Sequence, residues 1–326
     1  MASSNKVKIG IIGGAGYTGG ELLRILVNHP NADIQFVHSN SNAGNPVWKV
    51  HTDLIGSTDL VFSGTLSNDI DVLFLCLGHG DAVKFLSENP IESHIKIIDL
   101  SQDFRIAKEG NDFVYGLPEL QRDKIKQAKN IANPGCFATA IQMGILPLAA
   151  HNKITQDIHV SGITGSTGAG QSLTLTSHFS WRNNNMSVYK ALNHQHLKEI
   201  NQSLKGLQTG LDKAVHFIPY RGDFTRGIIA TTYTPCSWSL EEAKEKYKSY
   251  YASHPFTHVL DENIDLKQVV NTNNCLLYLE KHGDQLMIVS IIDNLLKGAS
   301  GQAVQNMNLL FGLDETAGLR LKATGF

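Results

Sequence analysis

The chain has 326 residues, of which 42% are hydrophobic and 18% are charged, and its formal net charge is −2. This length exceeds one average domain, so two domains are expected, and the composition is typical of a water-soluble globular protein. The small charge, with no run of lysine or arginine, argues against a nucleic-acid partner, and no apolar run reaches the roughly 18 residues of a membrane helix.

The cysteine pattern and the N-terminal residues indicate the cellular compartment of the protein. The four cysteines, at positions 76, 136, 236 and 275, are widely spaced and form no CxxC pair. Neither a disulfide framework nor a structural metal site is therefore expected. The first residues pass directly into a strand, which predicts that there is no signal peptide, and a reducing cytoplasm fits this cysteine usage.

The first predicted elements are an apolar strand over 7–12, a glycine turn, and a helix over 21–28 that begins within the turn. This order places backbone N–H groups at a helix N-terminus, where a dinucleotide pyrophosphate binds. A second strand, over 34–38, follows as in a Rossmann-like domain. The predicted cofactor contacts in the turn are Gly13, Gly16, Tyr17, Thr18 and Gly19.

The end of the second strand indicates which dinucleotide binds. A site specific for NAD carries Asp or Glu here to hold the ribose 2′-hydroxyl. This chain has His38-Ser-Asn-Ser-Asn42 instead. Hydroxyl and amide groups accept a 2′-phosphate, which a carboxylate would repel. The sequence therefore predicts NADP(H), with Ser39 and Ser41 as phosphate contacts.

Two near-continuous apolar runs, 71–77 and 95–100, are typical of parallel strands that are covered on both faces. The second run leads into Ser101-Gln-Asp-Phe-Arg105. Open α/β sheets bind ligands at the carboxyl edge, and a guanidinium binds anionic oxygens in pairs. Arg105 is therefore a candidate substrate-binding residue, with an ordinary surface arginine as the alternative.

A lone cysteine stands where a strand gives way to a helix. Pro134 and Gly135 form the turn, and residues 137–148 read as a helix, so Cys136 is expected at or near its first position. The helix dipole and free N–H groups there lower a thiol's pKa and can hold an oxyanion. Cys136 is the predicted nucleophile, and a small buried hydrophobic side chain is the alternative.

Beyond residue 150 the segments become more amphipathic and predict an α+β domain with an antiparallel or mixed sheet. The predicted strands are 159–163, 215–219, 227–233, 276–280 and 286–292, and the predicted helices cover 193–200, 240–251 and 301–311. His194 and His196 lie on the first of these helices. Residues two places apart on a helix point about 200° apart, so the two imidazoles are not expected to face the thiol equally.

The run from Ile131 to Pro147 is similar, position for position, to the active-site signature of the N-acetyl-gamma-glutamyl-phosphate reductase family. That family serves arginine biosynthesis and is related to aspartate-semialdehyde dehydrogenase. The resemblance covers nearly the whole chain, and the other matching motifs are Gly13–Gly19, Ser101–Arg105, Ser166–Gly170, His194-Gln-His196, Arg226-Gly227 and 293–298. Gln171 and Gln102-Asp103 depart from the family pattern near expected ligand contacts.

The resemblance implies an α/β plus α+β fold. A Rossmann-like NADP-binding domain would span residues 1–135 and be completed by a C-terminal helix, 300–326. An α+β catalytic and oligomerisation domain would span residues 136–299. The implied reaction is the NADPH-dependent reductive dephosphorylation of an N-acyl-gamma-glutamyl phosphate to its semialdehyde, through a cysteine thioester, in a homodimer or homotetramer.

The resemblance also implies roles for single residues. Cys136 would be the nucleophile and His196 the general acid/base. Arg105, His194 and Arg226 would bind the substrate, an acyl phosphate, and the further cofactor contacts would be Ser166, Gly168 and Asn294.

Several alternatives stay open. His194 could be the base in place of His196, and Arg226 could form a structural ion pair with Asp223. The enzyme could be an aspartate-semialdehyde dehydrogenase-type reductase of another acyl phosphate, although that group normally has Asn where this chain has Gly135. In another functional class, the chain could be an NADPH-binding redox sensor that is oxidised at Cys136.

Overall fold

A computed structural model describes residues 6–325 of the chain. The chain forms two compact units, one with the residues up to Pro134 together with Ala299–Arg320, the other with Gly135–Gly298 and the chain from Leu321 onward. The expected lack of a signal peptide rests on residues 1–5, which lie outside the described part. Among the described residues, no helix has the length and apolar character needed to cross a membrane.

The first unit contains a seven-stranded sheet in which every pairing is parallel. Its strands are β1 (Val7–Ile12), β2 (Ala32–His38), β3 (Phe62–Ser63), β4 (Val72–Leu75), β5 (Lys96–Asp99), β6 (Phe113–Tyr115) and β7 (Asn130–Ala132). The order is β3-β2-β1-β4-β5-β7-β6, so the direction of strand progression changes between β1 and β4. The predicted parallel, Rossmann-like sheet is confirmed, although β4 and β5 are shorter than the apolar runs that predicted them.

Three helices of the first unit connect these strands, namely α1 (Tyr17–Leu26), α2 (Asp81–Glu88) and α3 (Pro118–Gln127). Helix α1 begins four residues before the predicted start at residue 21. The helix packs tightly on the glycine turn, because a Cβ at Gly19 would lie 2.6 Å from the carbonyl oxygen of Gly14. Only glycine fits this contact without moving the backbone.

The second unit has a seven-stranded mixed sheet, which confirms the predicted α+β domain. Its strands are β8 (Ile158–Thr164), β9 (Ser187–Val188), β10 (Val215–Arg221), β11 (Ile228–Pro235), β12 (Thr257–Leu260), β13 (Cys275–His282) and β14 (Gln285–Ile292), in the order β12-β13-β14-β11-β8-β10-β9. Its helices are α4 (Cys136–Ala150), α5 (Phe179–Arg182), α6 (Leu197–Leu207) and α7 (Leu240–Tyr251). The predicted helix over 193–200 is wrong at its start, because α6 begins only after both histidines.

Helix α4 is the core of the second unit. Every side chain from Phe137 to Ala149 is buried, and the helix packs on β11, β14, β13 and α6. Pro147 lies inside it and cannot donate a hydrogen bond to the carbonyl of Met143, four residues earlier. The hydroxyl of Tyr251 donates to that carbonyl at 2.6 Å instead. A neighbouring helix therefore supplies the bond that proline removes, and α4 continues to Ala150.

The last helix, α8 (Gly301–Leu310), returns to the first unit and packs on α1, α3 and β5. A five-residue π-helical turn, Leu296–Ser300, precedes it. The predicted helix over 300–326 is wrong in extent, because the chain turns after Leu310. Gly312 adopts a φ of 63°, the left-handed conformation that commonly ends helices.

Candidate active site

Cys136 is the first residue of α4, as predicted, and its side chain is partly exposed. Gly135 is the N-cap with extended backbone, and its carbonyl accepts the N–H of Thr139 at 2.8 Å. The first backbone N–H groups of a helix have no partner within the helix. Because Cys136 is the first residue of α4, these groups lie at the same helix end as the nucleophile, where they can stabilise a thiolate or an oxyanion formed by its attack.

Arg105 braces the strand end that leads to this turn. Its side chain is 6% exposed, and its Nε donates to the carbonyl of Asn133 at 2.8 Å while Nη2 donates to Leu100 at 2.9 Å. The Asn133 amide in turn donates to the carbonyl of Ala299 at 2.9 Å, within the same unit. Arg105 therefore fixes the backbone three residues before Cys136, and its contact with substrate stays a prediction.

His194 and His196 lie together in the turn before α6. Both are buried, and their ring centroids are 4.6 Å apart. The backbone N–H of His196 donates to His194 Nδ1 at 3.3 Å. The assumption that both histidines lie within a helix is wrong, because α6 begins at Leu197. That the two imidazoles face the thiol unequally stays a prediction. The ring of His194 also lies edge-on to Phe137, the residue after the cysteine, at 5.8 Å.

The two histidines differ in their electrostatic surroundings. Burial, together with the positive charges of Lys190 and Arg221, lowers the pKa of His194 to about 4. His194 is therefore neutral at physiological pH. Because its Nδ1 accepts a hydrogen bond, its proton lies on Nε2.

Glu199 joins the histidine turn to the cysteine turn, and the sequence analysis missed it. Its side chain is buried, and Oε2 accepts the backbone N–H of Gly135 at 2.9 Å. The other oxygen, Oε1, lies 4.0 Å from Nε2 of His196. The spacing of three residues from His196, in the first turn of a helix, is the sequence signal that could have identified it.

Arg226 is engaged by an ion pair with Asp293. Its Nε and Nη2 donate to the two carboxylate oxygens at 3.0 and 3.1 Å, and Asp293 is fully buried. The carboxylate that the structure places against this guanidinium is that of Asp293, while Asp223, the alternative partner, accepts the backbone N–H of Asn184 at 2.6 Å. Arg226 thus anchors the turn 293–298, and a direct contact with substrate stays a prediction.

The turn 293–298 packs against the nucleophile. A Cβ added to Gly298 would lie 2.8 Å from Cβ and 3.2 Å from Cα of Cys136. The 2.8 Å separation is shorter than real Cβ contacts allow. Residue 298 therefore has to be glycine for the backbone of this turn to lie so close to Cys136. The turn therefore forms one wall around Cys136.

Three predicted cofactor contacts, Ser166, Gly168 and Asn294, lie in one loop cluster of the second unit. The side-chain oxygen of Asn294 accepts the N–H of Gly227 at 2.7 Å, and its amide donates to Thr167 Oγ1 at 3.0 Å. Asn294 therefore holds the short helical turn Ser166–Ala169 in place. Contact of these residues with the cofactor stays a prediction.

The glycine turn of the first unit is shaped to let a ligand approach its backbone. Gly13 has a φ of 75°, and a Cβ there would collide with the carbonyl of Cys76 at the end of β4. The imidazole of His51, which the sequence analysis missed, donates from Nε2 to the carbonyl of Gly14 at 2.7 Å. Gly16 is the N-cap of α1, which begins at Tyr17. The turn thus has the conformation that a dinucleotide site requires.

A cluster of hydroxyl and amide groups follows β2. The amide of Asn42 donates to Ser39 Oγ at 3.3 Å and to Ser41 Oγ at 3.1 Å. The two predicted phosphate contacts therefore belong to one small turn that bears no carboxylate. Within the described residues, no group of three or more His, Cys, Asp or Glu is arranged to hold a metal ion.

Comparison with known proteins gives consistent results. The semialdehyde dehydrogenase NAD binding domain matches residues 8–128, and the semialdehyde dehydrogenase dimerisation domain matches residues 136–294. N-acetyl-gamma-glutamyl-phosphate reductases of Phocaeicola vulgatus and Flavobacterium johnsoniae are 60% and 57% identical, over 98% of this chain and 100% of theirs.

Solved structures show the same fold. Aspartate semialdehyde dehydrogenase II of Vibrio cholerae, complexed with ASA, superposes with a TM-score of 0.76 at 14% identity over 95% of this chain and 99% of its own. The enzyme of Candida albicans, solved with NADP, gives a TM-score of 0.67 at 15% identity, over 94% of this chain and 99% of its own.

We predict that Gly298→Ala slows alkylation of Cys136 by iodoacetamide by about tenfold or more, because the added methyl group overlaps the cysteine. Labelling rates at fixed pH, read by mass spectrometry of the peptide, measure this. Gly206→Ala is the matched control, because a Cβ there meets nothing within 4 Å. An alkylation rate equal to that of the unaltered protein in Gly298→Ala would contradict the packing.

Proposed function

The chain belongs to the N-acetyl-gamma-glutamyl-phosphate reductase family, and from this premise we propose how its residues carry out that reaction. The protein reduces an N-acyl-gamma-glutamyl phosphate to the semialdehyde and phosphate, in arginine biosynthesis, with Cys136 as nucleophile. The observation that carries the proposal is the position of Cys136 at the N-terminus of α4, in the unit that also holds Glu199 and the buried histidine pair.

Cys136 performs the covalent steps. Its thiolate attacks the acyl carbon, a C–S bond forms, and the C–O bond to phosphate breaks, which leaves a thioester. The N–H groups of the first turn of α4 stabilise the negative oxygen of each tetrahedral intermediate. NADPH, when bound, supplies the hydride that reduces the thioester carbonyl. Cleavage of the C–S bond then releases the aldehyde and restores the thiolate.

His196 moves the protons. It accepts the thiol proton before attack and donates it to the leaving phosphate oxygen when the first tetrahedral intermediate collapses. The Glu199 carboxylate, 4.0 Å away, stabilises the imidazolium. His194 is less suited to donate a proton, since burial lowers its pKa to about 4. With its proton on Nε2, it serves as a neutral hydrogen-bond donor to the substrate.

The glycine turn and the turn after β2 in the first unit fit NADP(H). Gly13 and Gly19 leave a turn that any Cβ would obstruct, and α1 starts within that turn. The backbone N–H groups of residues 17–19, at the start of α1, would hold the pyrophosphate. Ser39 and Ser41, joined by the Asn42 amide, would hold the 2′-phosphate. That Ser166, Gly168 and Asn294 contact the cofactor stays a prediction of the family resemblance.

We further propose a homodimer or homotetramer formed through the face of the second sheet that lies away from α4. On that face β8 and β11 present His159, Ser161 and Tyr233 to solvent, with Ile163 and Ile229 half-buried beside them. The match of residues 136–294 to a dimerisation domain supports oligomer formation through this unit. The wide spacing of the four cysteines, with no CxxC pair, supports a reducing, cytoplasmic compartment.

The first prediction for this function is that Cys136→Ala abolishes turnover with acyl phosphate and NADPH while the protein stays folded. No other nucleophile replaces the sulfur in the covalent step. Cys76→Ala is the control, because burial raises the pKa of that thiol to about 12 and it should be dispensable. Full activity in Cys136→Ala, or loss of activity in Cys76→Ala alone, would end the thioester mechanism.

The second prediction separates the histidines. His196→Asn should lower kcat by about 10²- to 10⁴-fold, as expected for loss of an acid/base, with a smaller change in KM. His194→Asn should act mainly on KM, since a neutral donor contributes to binding. Steady-state kinetics of both variants in the phosphate-dependent oxidation of the semialdehyde decide this. A collapse of kcat confined to His194→Asn would reverse the assignment.

The third prediction concerns cofactor choice. The unaltered protein should prefer NADPH to NADH, and Ser39→Asp should raise the KM for NADPH by about tenfold or more through repulsion of the 2′-phosphate. Ser39→Asn adds similar bulk without charge and should change this KM much less. Equal kcat/KM for the two dinucleotides in the unaltered protein would refute the assignment of the 39–42 turn.

A further inference from the structure

Arg221 lies on the face of β10 that packs around the nucleophile. Side chains alternate along a strand, so Phe217, Pro219 and Arg221 share one face. The ring of Phe217 lies 4.9 Å from that of Phe137 and 5.4 Å from that of His194. The strand therefore ends by directing an arginine to the side of the sheet on which Cys136 and the histidines lie.

Tyr189 connects this arginine to the site. The Arg221 guanidinium lies 4.7 Å from the centre of the Tyr189 ring, which is itself edge-on to His194 at 5.8 Å. Burial raises the pKa of Tyr189 to about 12, and the nearby Cys136 thiol contributes to the rise. The phenol is thus within electrostatic reach of the sulfur, with the arginine stacked on its ring.

Two other arginines of this unit, Arg182 and Arg226, form hydrogen bonds or ion pairs that stabilise the fold. Arg182 donates to the carbonyls of Arg221 at 2.8 Å and Asn185 at 3.2 Å, and Arg226 is paired with Asp293. Arg221 hydrogen-bonds the side chain of Tyr189, but its Nε is shielded from solvent and has no hydrogen-bond partner within the described residues. A buried donor without a partner is costly unless a ligand supplies an acceptor.

The charges around Arg221 favour an anion. Lys190 and Arg221 both add positive potential at His194, and the charges of Arg182 and Arg221 act on each other. The carboxylate that offsets Arg182 is Asp223, and Lys190 donates to the neutral oxygen of Gln195 at 3.1 Å. Positive groups lining a cleft raise the local concentration of an anionic substrate.

We propose that Arg221 binds an anionic oxygen group of the substrate, its carboxylate or its phosphate, beside Cys136. This inference rests on the proposed function. It transfers to Arg221 the role of substrate cation that the sequence suggested for Arg226, whose guanidinium is held by Asp293. Tyr189 is the positioning residue, because its ring fixes the plane of the guanidinium.

The test is the reverse reaction of the full-length protein with semialdehyde, inorganic phosphate and NADP. In Arg221→Gln, the KM for one anionic substrate should rise by about 10- to 100-fold, the range for a lost charged hydrogen bond, with kcat changed less. A rise for the semialdehyde assigns Arg221 to the carboxylate, and a rise for phosphate assigns it to the phosphoryl group. Arg221→Lys should restore part of the affinity.

Lys248→Gln is the control, because it removes a cation of the same unit that is paired with Asp261 on the surface. If Arg221→Gln does not fold, the Arg221→Lys variant carries the test, with a KM rise of about fivefold or more expected. Both KM values unchanged in a folded Arg221 variant would overturn the inference and leave the proposed function intact. An inactive unaltered protein would overturn the proposed function, and this inference with it.

Discussion

The hydrogen bond from the backbone N–H of Gly135 to the buried carboxylate of Glu199 fixes the nucleophile turn in the second unit. Its 2.9 Å length and the burial of Glu199 make it a charge-assisted bond in a low-dielectric setting, where it is strong and costly to break. The same carboxylate lies 4.0 Å from Nε2 of His196. One side chain therefore sets both the start of α4 and the place of the proposed acid/base. A carboxylate beside a helix N-terminus is stabilised by the helix dipole, which offsets part of the cost of burying it.

The turn 293–298 depends on a second buried carboxylate. Asp293 accepts two hydrogen bonds from Arg226 and further ones from the backbone N–H groups of Asn271, Leu295 and Leu296, at 2.8 to 3.2 Å. A buried charge is tolerated only with such complete pairing. The resulting turn carries Gly298 into contact with Cys136, where any side chain would collide. Arg226 therefore supports the site through Asp293, and substrate binding is the role proposed above for Arg221.

Local signals predicted much of the fold. The apolar runs and the positions of glycine and proline predicted β1, the parallel sheet and the start of α4 at Cys136. These features could be predicted because each of them depends on residues that are close in the sequence. Contacts between distant residues could not be read in this way. Arg226 pairs with Asp293, which lies 67 positions away in the sequence. His194 and His196 have helix-compatible neighbours, yet tertiary packing against Phe137 holds them in the turn before α6. Glu199, Tyr189 and Arg221 gain their roles only through such packing.

The central claim is that Cys136 carries the acyl group as a thioester. The most direct measurement mixes the protein with N-acyl-gamma-glutamyl phosphate in the absence of NADPH, quenches within one turnover, and determines the intact mass and the phosphate released. The account predicts a single N-acyl-glutamyl adduct on the peptide that contains Cys136, with stoichiometric release of phosphate, and neither in Cys136→Ala. Phosphate release that requires NADPH, with no adduct on Cys136 at any quench time, would contradict it.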